Sequence, residues 1–275
     1  MFKNIARLGA AFLAALGLSL SAAASTFSID YSDLWGGGQP LPTEQGWGLN
    51  LIQQGDTIFG TMFVYGSDNT ARWFSVTLAP TNGTTTWTGP LDQTTGSYYG
   101  ATWNNGSVTH SVVGNLTVTF SSASTGLLTY SVNGVQVTKS ISRFTFKAPN
   151  LNGKYVGGGF GTGPQAGCGS SGISIFDTLN ITQNLNNGAI TLRVDFVNGN
   201  NQQAVCTYTG TLDVTGRTGS ISGSFSCSVG SNTTNSGTFS ITNLETSING
   251  FNGTFNSSDQ FCTATGRFGG IKDVI

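Results

Sequence analysis

The chain has 275 residues, of which 8% are charged where about 25% is usual, with 11 basic and 12 acidic side chains and 40 glycines. A chain this close to neutral offers no basic surface for nucleic acid, and a single histidine with four cysteines outside any Cys-x-x-Cys spacing supplies no metal ligand set. Disorder is excluded too, because 11% aromatic residues in period-2 patterns can bury enough apolar surface to offset chain entropy.

Residues 1–24 read as a signal peptide: Lys3 and Arg7, an apolar run from Leu8 to Leu20, then Ser21-Ala22-Ala23-Ala24, with cleavage expected after Ala24. The run is shorter than the roughly 20 residues that cross a membrane, and no cysteine precedes Cys168 to accept a lipid. The mature chain is expected to be secreted or periplasmic, without a membrane span. Removing Lys3 and Arg7 leaves 11 − 2 = 9 basic residues against 12 acidic ones, a net charge near −3.

Thr26 to Gln45 begins as an alternating strand and becomes a Gly/Pro loop. Residues 46–78 then read as three antiparallel strands. With Gly55-Asp56 as a two-residue loop, Leu49 opposes Met62 and Leu51 opposes Gly60; with the next turn centred on Asp68, Met62 opposes Phe74 and Gly60 opposes Val76. One face collects Trp47, Leu49, Leu51, Ile58, Met62 and Val64, a core. The other collects Asn50, Ile52, Phe59, Thr61, Phe63 and Tyr65, with Trp73 opposite Phe63 and Ser75 opposite Thr61. Rings interleaved with hydroxyls and an amide suit stacking on sugar rings or the lining of a ligand-holding barrel. The plainer reading is a face covered by another sheet or by a second domain.

The stretch from Thr84 to Trp103 has weak periodicity. Val113 to Phe120 alternates cleanly, and Asn133-Gly134 turns a hairpin that opposes Val132 to Val135 and Tyr130 to Val137. A break is expected near Lys147-Ala148-Pro149-Asn150, giving domains at 25–148 and 149–275. All five tryptophans precede it and all four cysteines follow it.

In the second domain, Asn187-Gly188 is expected to oppose Leu185 to Ile190, Ile181 to Val194 and Leu179 to Phe196. Gly216-Arg217 sets Leu212 against Ile221, Tyr208 against Phe225 and Cys206 against Cys227. Opposed cysteines on neighbouring strands lie near bonding distance, so the expected disulfides are Cys206–Cys227 and, with the remaining pair, Cys168–Cys262. Each domain counts to about eight strands. The fold class is therefore all-β, two small antiparallel β-barrels or β-sandwiches, with no residue-level repeat between them.

Little catalytic chemistry is on offer. His110 sits in a Gly/Asn/Ser-rich stretch, Gly219-Ser220-Ile221-Ser222-Gly223 has isoleucine at the position a nucleophilic elbow needs, and the glycines from 157 to 163 miss the phosphate-loop spacing. No cofactor is expected. Asp30, Asp33 and Glu44 near Trp35 and Trp47 would be the acids of a hydrolase, while Asp56, Asp68 and Asp259 sit where turns favour aspartate.

Asp30-Tyr31-Ser32-Asp33-Leu34-Trp35, Gly46-Trp47-Gly48-Leu49-Asn50, Gln53-Gln54-Gly55-Asp56, Phe63-Val64-Tyr65-Gly66 and Trp73 together resemble a β-domain module of exported proteobacterial proteins. Tyr130 to Val135, Lys139 to Arg143 and Gly266 to Gly270 resemble further parts of such proteins. The module often carries a second tryptophan where this chain has Gly36. The resemblance implies export and transfers no catalytic residue. The leading functional reading is a secreted, non-enzymatic binding protein that holds a glycan or another apolar-faced ligand on Asn50, Phe59, Thr61, Phe63, Tyr65 and Trp73, with a polysaccharide or cell-surface component as partner. A structural or adhesive protein comes second, and a hydrolase of extracellular polymers third.

Overall fold

The structure is a computed structural model that describes residues 29–37, 44–81, 85–163, 172–197 and 200–273. The expected signal peptide and Cys168 lie outside these residues. Two closed eight-stranded barrels follow one another along the chain. The first comprises β1 Asp33–Gly37, β2 Gly48–Gln54, β3 Thr57–Tyr65, β4 Ala71–Thr81, β5 Thr86–Thr95, β6 Thr109–Phe120, β7 Thr125–Val132 and β8 Val135–Arg143. The second comprises β9 Gly153–Thr162, β10 Gly172–Gln183, β11 Ala189–Val197, β12 Gln203–Thr215, β13 Thr218–Val229, β14 Asn232–Ser247, β15 Gly250–Asp259 and β16 Thr263–Lys272. In each, strands pair in sequence order and the last returns to the first, β8 to β1 and β16 to β9. Closure leaves no strand edge to template aggregation.

The first barrel is filled by side chains from the inward positions, among them Trp35, Leu49, Leu51, Ile58, Met62, Phe74, Trp87 and Leu116. The register reached from Gly55-Asp56 is the one observed, with Leu49 opposite Met62 and Leu51 opposite Gly60, and the β3–β4 pairing sets Met62 against Phe74. Asn133 and Gly134 both take positive φ, 49° and 85°, the turn that suits the right-handed twist of a hairpin. At Gly36, where the module often carries a second tryptophan, a side chain would have to displace the Phe144 ring.

In the second barrel Cys206 faces Cys227 across β12 and β13 and bonds to it, with Cα atoms 4.0 Å apart. Cys262 is also disulfide-bonded. The outward positions of this hairpin pair hydroxyls, Thr207 with Ser226, Thr209 with Ser224 and Thr211 with Ser222, while Leu212, Ile221 and Phe225 point inward. An apolar interior under a hydroxyl exterior is the reverse of a membrane-spanning barrel's pattern. No helix among the described residues is long and apolar enough to cross a membrane.

The Asn187-Gly188 hairpin differs from expectation. Leu179 opposes Val194 and Gln183 opposes Ile190, two residues off the expected pairing. The loop is longer than two residues: the Asn184 amide donates to the Ala189 carbonyl, the Asn184 carbonyl accepts from Gly188, and the Asn184 and Asn187 side chains accept from Asn186 and Ala189 N–H. A shift of two preserves which side chains face the core.

One arrangement closes the lower end of both barrels, although no residue-level repeat between the domains is expected from the sequence. The Tyr31 amide donates to Gln53 Oε1 (2.9 Å) and the Leu151 amide to Gln183 Oε1 (2.8 Å). Trp35 Nε1 donates to the Tyr31 carbonyl, and Tyr155 Oη to the Leu151 carbonyl. Gln53 N–H donates to Ser32 Oγ, and Gln183 N–H to Asn152 Oδ1. Ser32 and Asn152 N–H donate to Asp30 Oδ1 and Asn150 Oδ1. The segments before β1 and β9 thus match at a spacing of 151 − 31 = 120 positions.

Candidate functional site

Alternation puts Leu49, Leu51, Ile58, Met62, Phe74 and Val76 inside the first barrel, so the residues between them face out. Ile52, Phe59, Phe63, Tyr65 and Trp73 are 47% to 59% exposed. The barrel interior is full, so these rings line no cavity, and neither another sheet nor the second barrel covers them. They form an exterior face.

The pairings order that face into rows. Asn50 opposes Thr61, Thr61 opposes Ser75, and Ser75 opposes Asp92, a polar line across β2 to β5. On one side of it runs Ile52, Phe59 and Thr77, and on the other Phe63 and Trp73. Strands about 4.8 Å apart make the polar line about 14 Å long. Apolar rings bound it on both flanks.

Two members of this surface were not expected. Asp92 lies on β5 opposite Ser75, in a β4–β5 pairing that keeps one register down to Thr81 and Thr86, and the register shift after Leu91 falls on the other side, where β5 pairs with β6. His110 lies on β6 opposite Thr94, not in a loop as its glycine-rich surroundings suggest, because β6 extends to Thr109. Its Nε2 lies 2.8 Å from Asp92 Oδ1.

The carboxylates proposed for hydrolysis do not converge. Asp33 sits at the lower end of β1, where Oδ2 takes Arg143 Nη1 at 3.2 Å and the Arg217 amide at 2.8 Å. Glu44 lies at the opposite end of the barrel, beyond Gly37. There Trp47 Nε1 donates to it (2.8 Å), and Lys139 Nζ pairs with it (2.5 Å) while lying 5.0 Å from the Trp47 ring centroid. The bond from Lys139, then that from Trp47, holds the Glu44 carboxyl below the usual range. Asp68 and Asp259 act in turns, accepting from Thr70 and from Phe261 and Cys262 N–H. Among the described residues no group of His, Cys, Asp and Glu could hold a metal ion.

The upper end of the first barrel also carries a loop between β5 and β6. It exposes Tyr98, Tyr99 and Trp103 and is ordered by its own bonds: Asn104 N–H donates to Ser97 Oγ, Trp103 Nε1 to Asn105 Oδ1, and Gly106 N–H to Asn104 Oδ1. Sequence periodicity gave no sign of this loop because glycine, asparagine and tyrosine alternate with no period.

No protein-family model matches the chain, and no curated protein matches it. Among solved structures it is similar to isotype 1 transferrin binding protein B from serogroup B Neisseria meningitidis, at 10% identity and a TM-score of 0.25, over 83% of this chain and 66% of that one. The chain's own residues therefore carry the functional reading.

Proposed function

We propose that this is an exported, non-enzymatic binding protein whose ligand lies on the exterior face formed by Asn50, Phe59, Thr61, Phe63, Tyr65 and Trp73. The observation that carries the reading is the exposure of five large apolar side chains on one face of a barrel whose core is already complete. Leaving them in water forgoes burial worth about 25 cal/mol per Å², and a contiguous patch of this kind marks an interaction surface. Its interleaved amide and hydroxyls favour a ligand with flat apolar faces and a polar rim, the description of a sugar ring. Export, which the resemblance to proteobacterial exported modules also implies, accords with the Cys206–Cys227 disulfide.

Trp73→Ala and Phe63→Ala test the face. Each should weaken binding of a soluble polysaccharide at least tenfold, about 1.4 kcal/mol, while leaving unfolding free energy within about 0.5 kcal/mol of wild type, as for other surface positions. A large fall in melting temperature with either variant would instead make the face structural, the expectation for an adhesive or scaffolding protein.

A further inference from the structure

Asp92 is the one carboxylate on this face. Its Oδ1 is shielded from solvent and no aligned donor reaches it, although His110 Nε2 stands 2.8 Å away. The two observations agree if the contact is electrostatic rather than a directed hydrogen bond: a proton on Nε2 is attracted to the carboxylate but not aimed along its lone pair. The Asp92 side chain is only 19% exposed and the His110 side chain 62%. The acid is thus sunk into the surface, and the imidazole stands over it with its second nitrogen, Nδ1, free to meet a ligand. Register fixes where this happens, since Asp92 opposes Ser75 and ends the polar line, while Trp73 lies two residues before Ser75 on the same outward face.

Resting on the reading of the aromatic face as a binding site, we infer that Asp92 and His110 form its polar anchor and commit it to a neutral, hydroxyl-rich polysaccharide. With Nε2 turned to Asp92, the exposed imidazole presents its Nδ1 edge to a sugar hydroxyl. Asn50, Thr61 and Ser75 continue the line as hydroxyl and amide partners, and the rings on either flank take the apolar faces of the sugar. Charge selects against acidic glycans. On the strands that build the face, the other charged side chain is Arg72, which opposes Val64 and is held by Asp68 at 2.7 Å. A uronate would meet the Asp92 carboxylate on this face, and like charges at close range repel.

Isothermal titration of the mature protein with cellohexaose, laminarihexaose and oligogalacturonate tests this. One of the two neutral oligosaccharides is expected to bind, and the acidic one is not. Asp92→Asn, His110→Ala and His110→Gln should each reduce that affinity about tenfold with an unchanged thermal melt, and Gln, which keeps an acceptor, should lose less than Ala. Wild-type affinity in all three variants, in a protein whose Trp73→Ala form no longer binds, would overturn the anchor and leave the aromatic face standing. Equal binding of oligogalacturonate would overturn the choice of a neutral ligand. Failure of both neutral oligosaccharides to bind would overturn both the anchor and the reading beneath it.

Discussion

At the scale of single residues, the second barrel holds a phenol in a place that resists its ionisation. Tyr208 lies among Phe225, Phe239 and Phe255, with ring centroids 5.5, 5.1 and 6.0 Å away. Burial pushes its pKa from 10.0 up to about 12. The folded state therefore keeps the proton where the unfolded chain gives it up. Stability is unaffected below pH 10, and it falls as pH rises through the interval from 10 to about 12. A pKa raised from 10.0 to about 12 corresponds to about 2 to 3 kcal/mol. Burial raises Tyr31, Tyr130 and Tyr155 in the same direction, Tyr31 against a partly opposing pull from Arg143. Urea unfolding at pH 9 and pH 12 should show this loss, and Tyr208→Phe should reduce it; equal losses in both proteins would remove the assignment to Tyr208.

Among the elements, the β12–β13 hairpin is the one whose geometry was most legible. Its two-residue turn leaves a single register in which Leu212, Tyr208 and Cys206 face inward together, and a shift of one would have turned all of them to solvent. The same logic made the Gly55-Asp56 hairpin readable. It failed at Asn187-Gly188, where Asn184 and Asn187 satisfy the loop backbone with their side chains and lengthen it. It did not single out Asp92 or His110 either, because the stretch from Thr84 to Trp103 has weak periodicity and alternation is blind to the β5–β6 register shift after Leu91 that sets His110 opposite Thr94. The part of the candidate site on β2 to β4 was thus visible as period-2 pattern, and the placing of His110 depends on a bulge. The disulfide across β12 and β13 closes a separation of 21 residues, a constraint worth about 3 kcal/mol through the unfolded chain. Replacing Cys206 and Cys227 together by alanine should lower unfolding free energy by about that much, measured by denaturant titration.

For the whole molecule, the turn of that hairpin docks on the lower end of the first barrel. Gly216 N–H donates to Thr145 Oγ1 (2.7 Å), and Arg217 N–H to Asp33 Oδ2 (2.8 Å). Beneath them Arg143, 1% exposed, donates to the Ser32 carbonyl and Asp33 and lies 5.0 Å from the Trp35 ring. Gly216 has φ of 65°, and a methyl group there would run into Asp33 Oδ2 and the Arg143 side chain. Gly216→Ala should therefore undock the barrels, seen as a larger radius of gyration by small-angle scattering and as two calorimetric transitions in place of one. Unchanged scattering would show that this contact does not hold them. The Tyr98–Trp103 loop lies at the other end, and the aromatic face stays exposed on the outer wall of the barrel, so docking leaves both clear. The plug of Gln53 and its counterpart Gln183 has a different import. Each barrel seals its own lower end with a short leader segment and one glutamine, and its first and last strands are neighbours. Every unit thus carries its own start, stop and stopper, like a bead that can be threaded once, twice or more. A gene holding one such bead could lengthen by copying it, and a copy would be free to trade the rings of one surface for the hydroxyls of another.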